Sequence, residues 1–479
     1  MKYPLFRQAI FVLAASSLIT FSAGAKVSPE EAATLGLEGT PLTPVGAVRA
    51  GNADGSIPAW TGGITEPPAG YTPGGWYVDP FASDEILFAI TGQNYKQYAD
   101  KLTAGTQALF ERYPDTFVMN VYPTRRSGSF PDWFYEGSLH NASNAEWCGS
   151  TEPTLAERCI KKESHQRGVW FPIPKTGGEV LWNHSYFYWG KSYNGTAYGM
   201  NVFADGSYAD HMKIDRWILA WAMTDQEMTQ DAYFQRGGGA LICGSQEDVY
   251  PPRTAGQMFG GCNSYANNDF DAYLYIPGQR RVRKAPEIGF YDSPGTGSDG
   301  LRTADQRWGW AITGKEEWYE MSTPVKKEYY VPYNSYKMAQ PGVTWDDLAR
   351  PGHLNPDLKR YELHRLWVVE GRTRPQFRHL SPHRLVYADE DTWVATNADM
   401  YDAQDNIWRV SELYNINFYD HKFTQFWGDA HMDLVNGRYA CVNSFYNIGV
   451  KDGNGPPVYN GKPDWDYQKP SGLRKRGVR

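Results

Sequence analysis

The pattern that most constrains this chain is a succession of short β-rich runs separated by turn residues. Tyr361–Glu370 (YELHRLWVVE), His383–Asp389 (HRLVYAD), Trp393–Ala395, Ile407–Val410, Asn415–Tyr419 and His421–Trp427 follow one another closely. A spacing of roughly 10–15 residues is the cadence of one antiparallel sheet or an open barrel. Upstream, Val180–Gly190, Tyr198–Phe203 and Tyr208–Ile214 read as a meander with Gly, Asn and Asp turns. Tyr273-Leu274-Tyr275-Ile276 turns at Pro277-Gly278 and returns through Arg280-Arg281-Val282-Arg283-Lys284, a hairpin signature. No repeat of roughly 20–50 residues is present, which excludes a solenoid or propeller.

Helices are few. Ser28-Pro29-Glu30-Glu31 opens a short one over Ser28–Leu35, and Tyr95, Tyr98, Leu102, Leu109, Phe110 and Tyr113 recur at helical spacing over Asn94–Tyr113 before Pro114 stops them. Thr224 to Glu227 has the form of a capping box, and Thr344–Arg350 suits one further turn of helix.

The ends of the chain read differently from its middle. Lys2 and Arg7, the apolar run Ala9–Phe21 and the small-residue site Ala23-Gly24-Ala25 form a secretory signal peptide over residues 1–25, cleaved after Ala25. No cysteine lies at that site, so the mature protein is expected to be exported without lipidation, into the periplasm of a Gram-negative host. Residues 26–70, rich in Gly, Pro and Ala, read as an extended arm. Residues 71–468 read as a single large β domain with insertions, and 469–479, basic and free of acids, as a disordered tail.

The net charge of −7 becomes −9 without Lys2 and Arg7, against the basic surface that general nucleic-acid binding requires. In an oxidising compartment Cys148 with Cys159 and Cys243 with Cys262 are the first choices for disulfides, leaving Cys441 over.

Catalytic and metal-binding patterns are scarce. His211 with Asp215, the trio His364, His379 and His383, and His421 and His431 with Asp420 and Asp433 match neither a metalloprotease helix nor a facial triad. Asp389-Glu390-Asp391 could supply the two carboxylates of glycoside chemistry, although a turn of three acids more often faces water. There is no nucleophile elbow. The 18 Trp and 33 Tyr suit either a strand-rich core or a binding groove.

Several stretches resemble the exported bacterial family known as domain of unknown function 1329. They are Leu42–Ala47 with Trp60–Gly63, YLYIPGQRRVRKAP (273–286), SDGL (298–301), GKEEWYEM (314–321), VPYNSY (331–336), GHLNPDLKRYELHRLWVVEG (352–371) and DEDTW (389–393). The resemblance implies a mainly β fold with minor α. It is a strongly curved antiparallel sheet, a LolA/LolB-like open half-barrel with covering helices and long loops. It also implies a periplasmic carrier or adaptor for lipid or another hydrophobic compound, non-enzymatic and without a cofactor. Such a carrier would work with a resistance–nodulation–division type transporter and an outer-membrane protein. In such a half-barrel Tyr273, Tyr275, Trp310, Trp318, Tyr330 and Trp367 would lie near the cavity, only one strand parity facing in. Arg281 and Arg283 could receive an anionic head group or pair with acids across the sheet. The alternative is a polysaccharide-binding or glycan-active exported protein.

Overall fold

A computed structural model describes residues 27–148, 160–265, 267–285, 300–301, 303, 319–448 and 453–477. Two short strands, β1 (Phe88–Ile90) and β2 (Met119–Val121), precede the main sheet. A first meander holds β3 (Ser192–Val202), β4 (Tyr208–Leu219), β5 (Ala240–Tyr250), β6 (Met258–Ser264), β7 (Asn267–Ile276) and β8 (Arg281–Lys284). A second holds β9 (Tyr319–Met321), β10 (Val325–Pro332), β11 (Tyr361–Thr373) and β12 (His383–Asp389). It continues through β13 (Ala395–Tyr401), β14 (Ile407–Phe418), β15 (Phe423–Asp433) and β16 (Tyr439–Phe445), and β17 (Val458–Tyr459) comes last.

Among the described residues these strands make one 17-stranded sheet. Its pairs are antiparallel apart from one parallel bridge between Tyr361 and Val121. The two meanders join where β16 pairs with β3, Cys441 opposite Met200, and β17 extends the same edge, Val458 opposite Asn194. The far ends, β8 and β9–β10, do not pair with each other among the described residues. Register shifts at Met212/Lys213, Tyr387/Ala388, Met400/Tyr401 and Tyr414/Asn415 each insert a residue into one strand. Such bulges bend a strand and raise its twist, which curves the sheet. The expected mainly β, curved sheet is the observed architecture.

The hairpin at Pro277-Gly278 is present, with Tyr275 opposite Val282 and Arg280 at φ 49° closing the turn. Tyr361–Thr373 and His383–Asp389 pair as expected, Trp367 opposite Ala388.

Three expectations differ from the structure. Val180–Gly190 is not a strand: Gly177–Ser185 is a helix, capped by Thr176 and Glu179 in a reciprocal box. Every residue in it except Gly178 is buried, so its apolar character runs all round and hides the helical period. The helix over Asn94–Tyr113 is two pieces, a 3-10 stretch Tyr95–Lys101 and the α-helix Ala104–Arg112. Thr103, extended at ψ 158°, caps Thr106 and restarts the chain. The basic tail is not disordered from residue 469: Pro470–Gly477 is a helix packed on β6, β7 and β8. Leu473 is buried there against Met258 and Tyr275.

The Gly- and Pro-rich arm carries one helical turn, Pro29–Ala32, with the Ser28–Glu31 box. It is stitched onto the sheet through Val45 O, which accepts from Trp393 Nε1, and Gly46 O, which accepts from Lys326 Nζ. The Cys243–Cys262 disulfide forms across β5 and β6, where the two residues are register partners. Cys148 is also disulfide-bonded; its expected partner Cys159 and the leader 1–25 lie outside the described residues. No helix among the described residues is long and apolar enough to cross a membrane.

Candidate functional site

A groove of about 290 Å³ opens at the seam between the two meanders. Its floor is the β3–β4 pair, with Ser192, Asn194, Arg216 and Ile218 on the groove face and the register partners Tyr193 and Trp217 turning their rings into the buried core on the other face. Ile218, Val458, Pro463 and Tyr467 add further apolar wall. Trp217 can lie across β5 because its neighbour there is Gly244, where a Cβ would come within 2.3 Å of the indole. Behind the floor lies the aromatic core. Tyr193 contacts Tyr459 and Tyr446 at ring distances of 5.4 and 5.8 Å, and Trp217 contacts Trp189 and Phe270 at 6.3 and 6.2 Å. The groove and this ring-packed core thus lie on opposite faces of the β3–β4 pair.

Its polar groups are few and uneven in charge. Arg216 and Lys462 line it with one carboxylate, Asp464, which accepts from the Asp466 N–H at 3.0 Å. The Arg216 guanidinium stacks on Tyr467 at 3.9 Å, and Arg476 of the C-terminal helix stacks on the same ring at 4.0 Å. Ser192 Oγ donates to Gly461 O at 2.7 Å and fixes the loop after β17 against β3.

A second cluster lies under the arm and is closed. Arg126 grips Asp391 with two donors, Nε at 2.8 Å and Nη2 at 2.6 Å. Glu390 accepts from Arg365 and Lys326, both at 2.8 Å, and from the arm's Val48 N–H at 3.0 Å. Glu362 accepts from Arg360 at 2.6 Å and from His364 at 3.0 Å. Asp389 accepts from Tyr333 and Thr392. The acidic turn expected to face water is thus buried, because cations and the arm's backbone satisfy it. Burial and the neighbouring Asp391 push the Asp389 carboxyl up to about 6. Asp391 is held below its usual range: burial opposes this, and the charge and hydrogen bonds of Arg126 outweigh it. His364, Asp389 and Asp391 offer ligand atoms within 4.8 Å of one another. Arg126 already occupies both Asp391 oxygens, so the arrangement is an ion-paired network rather than an open cation cage.

The sequence-predicted rings are dispersed. Tyr275 is capped by the C-terminal helix, its hydroxyl donating to Gly477 O. Tyr273, on the same parity, is half-buried beside it and donates to Asp271 at 3.3 Å. The opposite face of β7 packs toward the main core, with Phe270 stacked on Phe259 at 5.4 Å. Tyr330 packs on Phe88 and Tyr98, and Trp367 stacks on Trp393 at 5.9 Å with Lys326 over its ring. Trp310 and Trp318 lie outside the described residues. Arg281 and Arg283 are exposed on β8, while the adjacent Lys284 pairs with Asp271 at 2.8 Å. None of the described ones among these residues lines the groove. Sequence reasoning missed Tyr193, Arg216, Trp217, Lys462 and Tyr467. The only signal was the apolar run from Arg216 to Met223, which marks a strand but not what faces it.

Fold and site define a mainly β protein with one long curved sheet and a small groove at its seam, walled by Ile218, Val458, Pro463 and Tyr467. The chain belongs to the family described as protein of unknown function (DUF1329), whose model matches residues 89–465. It is 37% identical over 468 residues to the uncharacterised protein PA3922 of Pseudomonas aeruginosa, covering 97% of each chain. Solved structures similar to it include a DUF1329 family protein from Desulfovibrio piger, with a TM-score of 0.39, 11% identity, and coverage of 62% of this chain and 96% of that one. A LolA superfamily protein from Nitrosomonas europaea, NE2245, is similar with a TM-score of 0.35, 9% identity, and coverage of 62% and 99% respectively.

Proposed function

We propose that this chain is a periplasmic carrier that binds lipid or another hydrophobic compound, without catalysis, and passes it on within an envelope export system. A transporter of the resistance–nodulation–division class and an outer-membrane protein are its proposed partners. The observation that carries this reading is the groove on the Arg216 and Ile218 face of β4, walled by Ile218, Val458, Pro463 and Tyr467. An apolar molecule covering them removes that surface from water, at about 25 cal/mol per Å². The leader sequence and the Cys243–Cys262 disulfide are consistent with an oxidising compartment. The glycan-active alternative loses its chemistry, because Asp389, Glu390 and Asp391 are buried and engaged by Arg126, Arg365, Lys326, Tyr333 and Thr392.

Titration with the neutral hydrophobe N-phenyl-1-naphthylamine tests the reading. Saturable binding with quenching of tryptophan emission is expected, weakened by Tyr467→Ala. Absence of saturable binding by the folded wild-type protein would remove the proposal.

A further inference from the structure

The groove is apolar in its walls but not neutral in its charge. Arg216 and Lys462 both line it, and among the described residues neither is in an ion pair or a hydrogen bond with a carboxylate. A third cation stands just behind them. Arg476 occupies the far face of Tyr467, so a single phenol ring is held between two guanidinium groups, at 3.9 and 4.0 Å. The nearest acid to Arg476 is Glu247, at 3.8 Å from Nε, beyond hydrogen-bond range. Arg476 Nε and Nη2 are buried with no hydrogen-bond partner, and only Nη1 donates, to Tyr467 O at 3.3 Å. Arg476 is ion-paired with Glu247, and against Arg216 and Lys462 the groove itself sets one carboxylate, Asp464, already engaged by a backbone N–H.

Like charges gathered on one ring repel, and buried N–H donors without acceptors are costly. The repulsion falls when an anion enters beside Arg216. The charge-assisted contacts available there are stronger than neutral ones, and an arginine fork suits a carboxylate, sulfonate or phosphate oxygen pair. The walls meanwhile favour an apolar body. Ile218, Val458 and Pro463 present aliphatic surface, and Tyr467 presents a ring.

We propose that the groove at the sheet seam takes an anionic amphiphile. Its apolar body rests on Ile218, Val458 and Pro463 beside Tyr467, and its single negative head group is received by Arg216 with Lys462 at the rim. This rests on the carrier reading and adds the charge of the cargo to it.

Two probes that share a skeleton separate the two claims. N-phenyl-1-naphthylamine is neutral, and 1-anilinonaphthalene-8-sulfonate adds one sulfonate to the same rings. The full mature chain is titrated with each, with dodecanoate and dodecanol as competitors. The sulfonate probe is expected to bind about tenfold more tightly than the neutral one, the gain of one charge-assisted contact. Dodecanoate should displace it better than dodecanol does. Arg216→Gln should remove the preference, Arg216→Lys should restore most of it, and the exposed Lys462→Gln should reduce it without a fold change. Equal affinity for the two probes, or a preference untouched by both Gln variants, overturns the anionic assignment and leaves the carrier reading standing. Failure of both probes to bind overturns the carrier reading and this inference with it.

Discussion

Arg126 and Asp391 carry opposite charges with side chains only 3% and 2% exposed, joined by two hydrogen bonds. Removing one partner of such a pair leaves the other buried and uncompensated. Arg126→Met is therefore expected to destabilise the protein by about 3–5 kcal/mol, read from urea unfolding. It should also free the arm, since Arg126 holds Val48 O at 2.9 Å. Asp389 has the opposite signature. Its folded carboxyl titrates at about 6, above the ordinary value of 3.8. Between those two pH values the folded chain keeps a proton the unfolded chain has lost. The stability this group contributes is thus full below the unfolded value and is lost as pH rises to about 6. Asp389→Asn removes that loss. Relative to wild type it should gain about 1–3 kcal/mol between pH 4.5 and pH 7. Parallel unfolding curves at the two pH values would contradict this. None of this network was legible in the sequence. Three consecutive acids look alike whether buried or wet, and the cations that decide the matter stand 265 and 25 residues away, at Arg126 and Arg365.

At the scale of elements, alternation and turn chemistry were legible where one face of a strand is wet or a turn is tight. The β7–β8 hairpin and the β11–β12 pair follow from them. They failed where an element is buried all round, as in Gly177–Ser185, and where charge masks a packed residue, as in the C-terminal helix. There the sequence reads as basic and solvated, yet Leu473 is the buried side chain that docks the helix on Met258 and Tyr275. Leu473→Ala should cost about 2–5 kcal/mol if the cavity does not collapse. Hydrogen exchange should show the loss first in β6, β7 and β8. Unchanged protection in those strands would mean that the helix does not support them.

For the whole molecule, the same parity rule explains why the predicted rings and the groove do not coincide. Tyr273 and Tyr275 fall on the face taken by the C-terminal helix, while the groove draws its floor from β3 and β4 and its wall from the segment after β17. Arg216 and Tyr467 stand 251 residues apart along the chain, and the seam between the two meanders brings the β3–β4 floor and the C-terminal wall together. A local reading of the sequence gives the curved sheet, but not which of its many rings meet solvent. Native mass spectrometry of the gently purified protein tests the carrier account most directly. The account predicts a mass above that of the unliganded chain, with hydrophobic, negatively charged compounds recovered on denaturation. A clean mass of the unliganded chain, together with no uptake of dodecanoate or N-phenyl-1-naphthylamine, would contradict it.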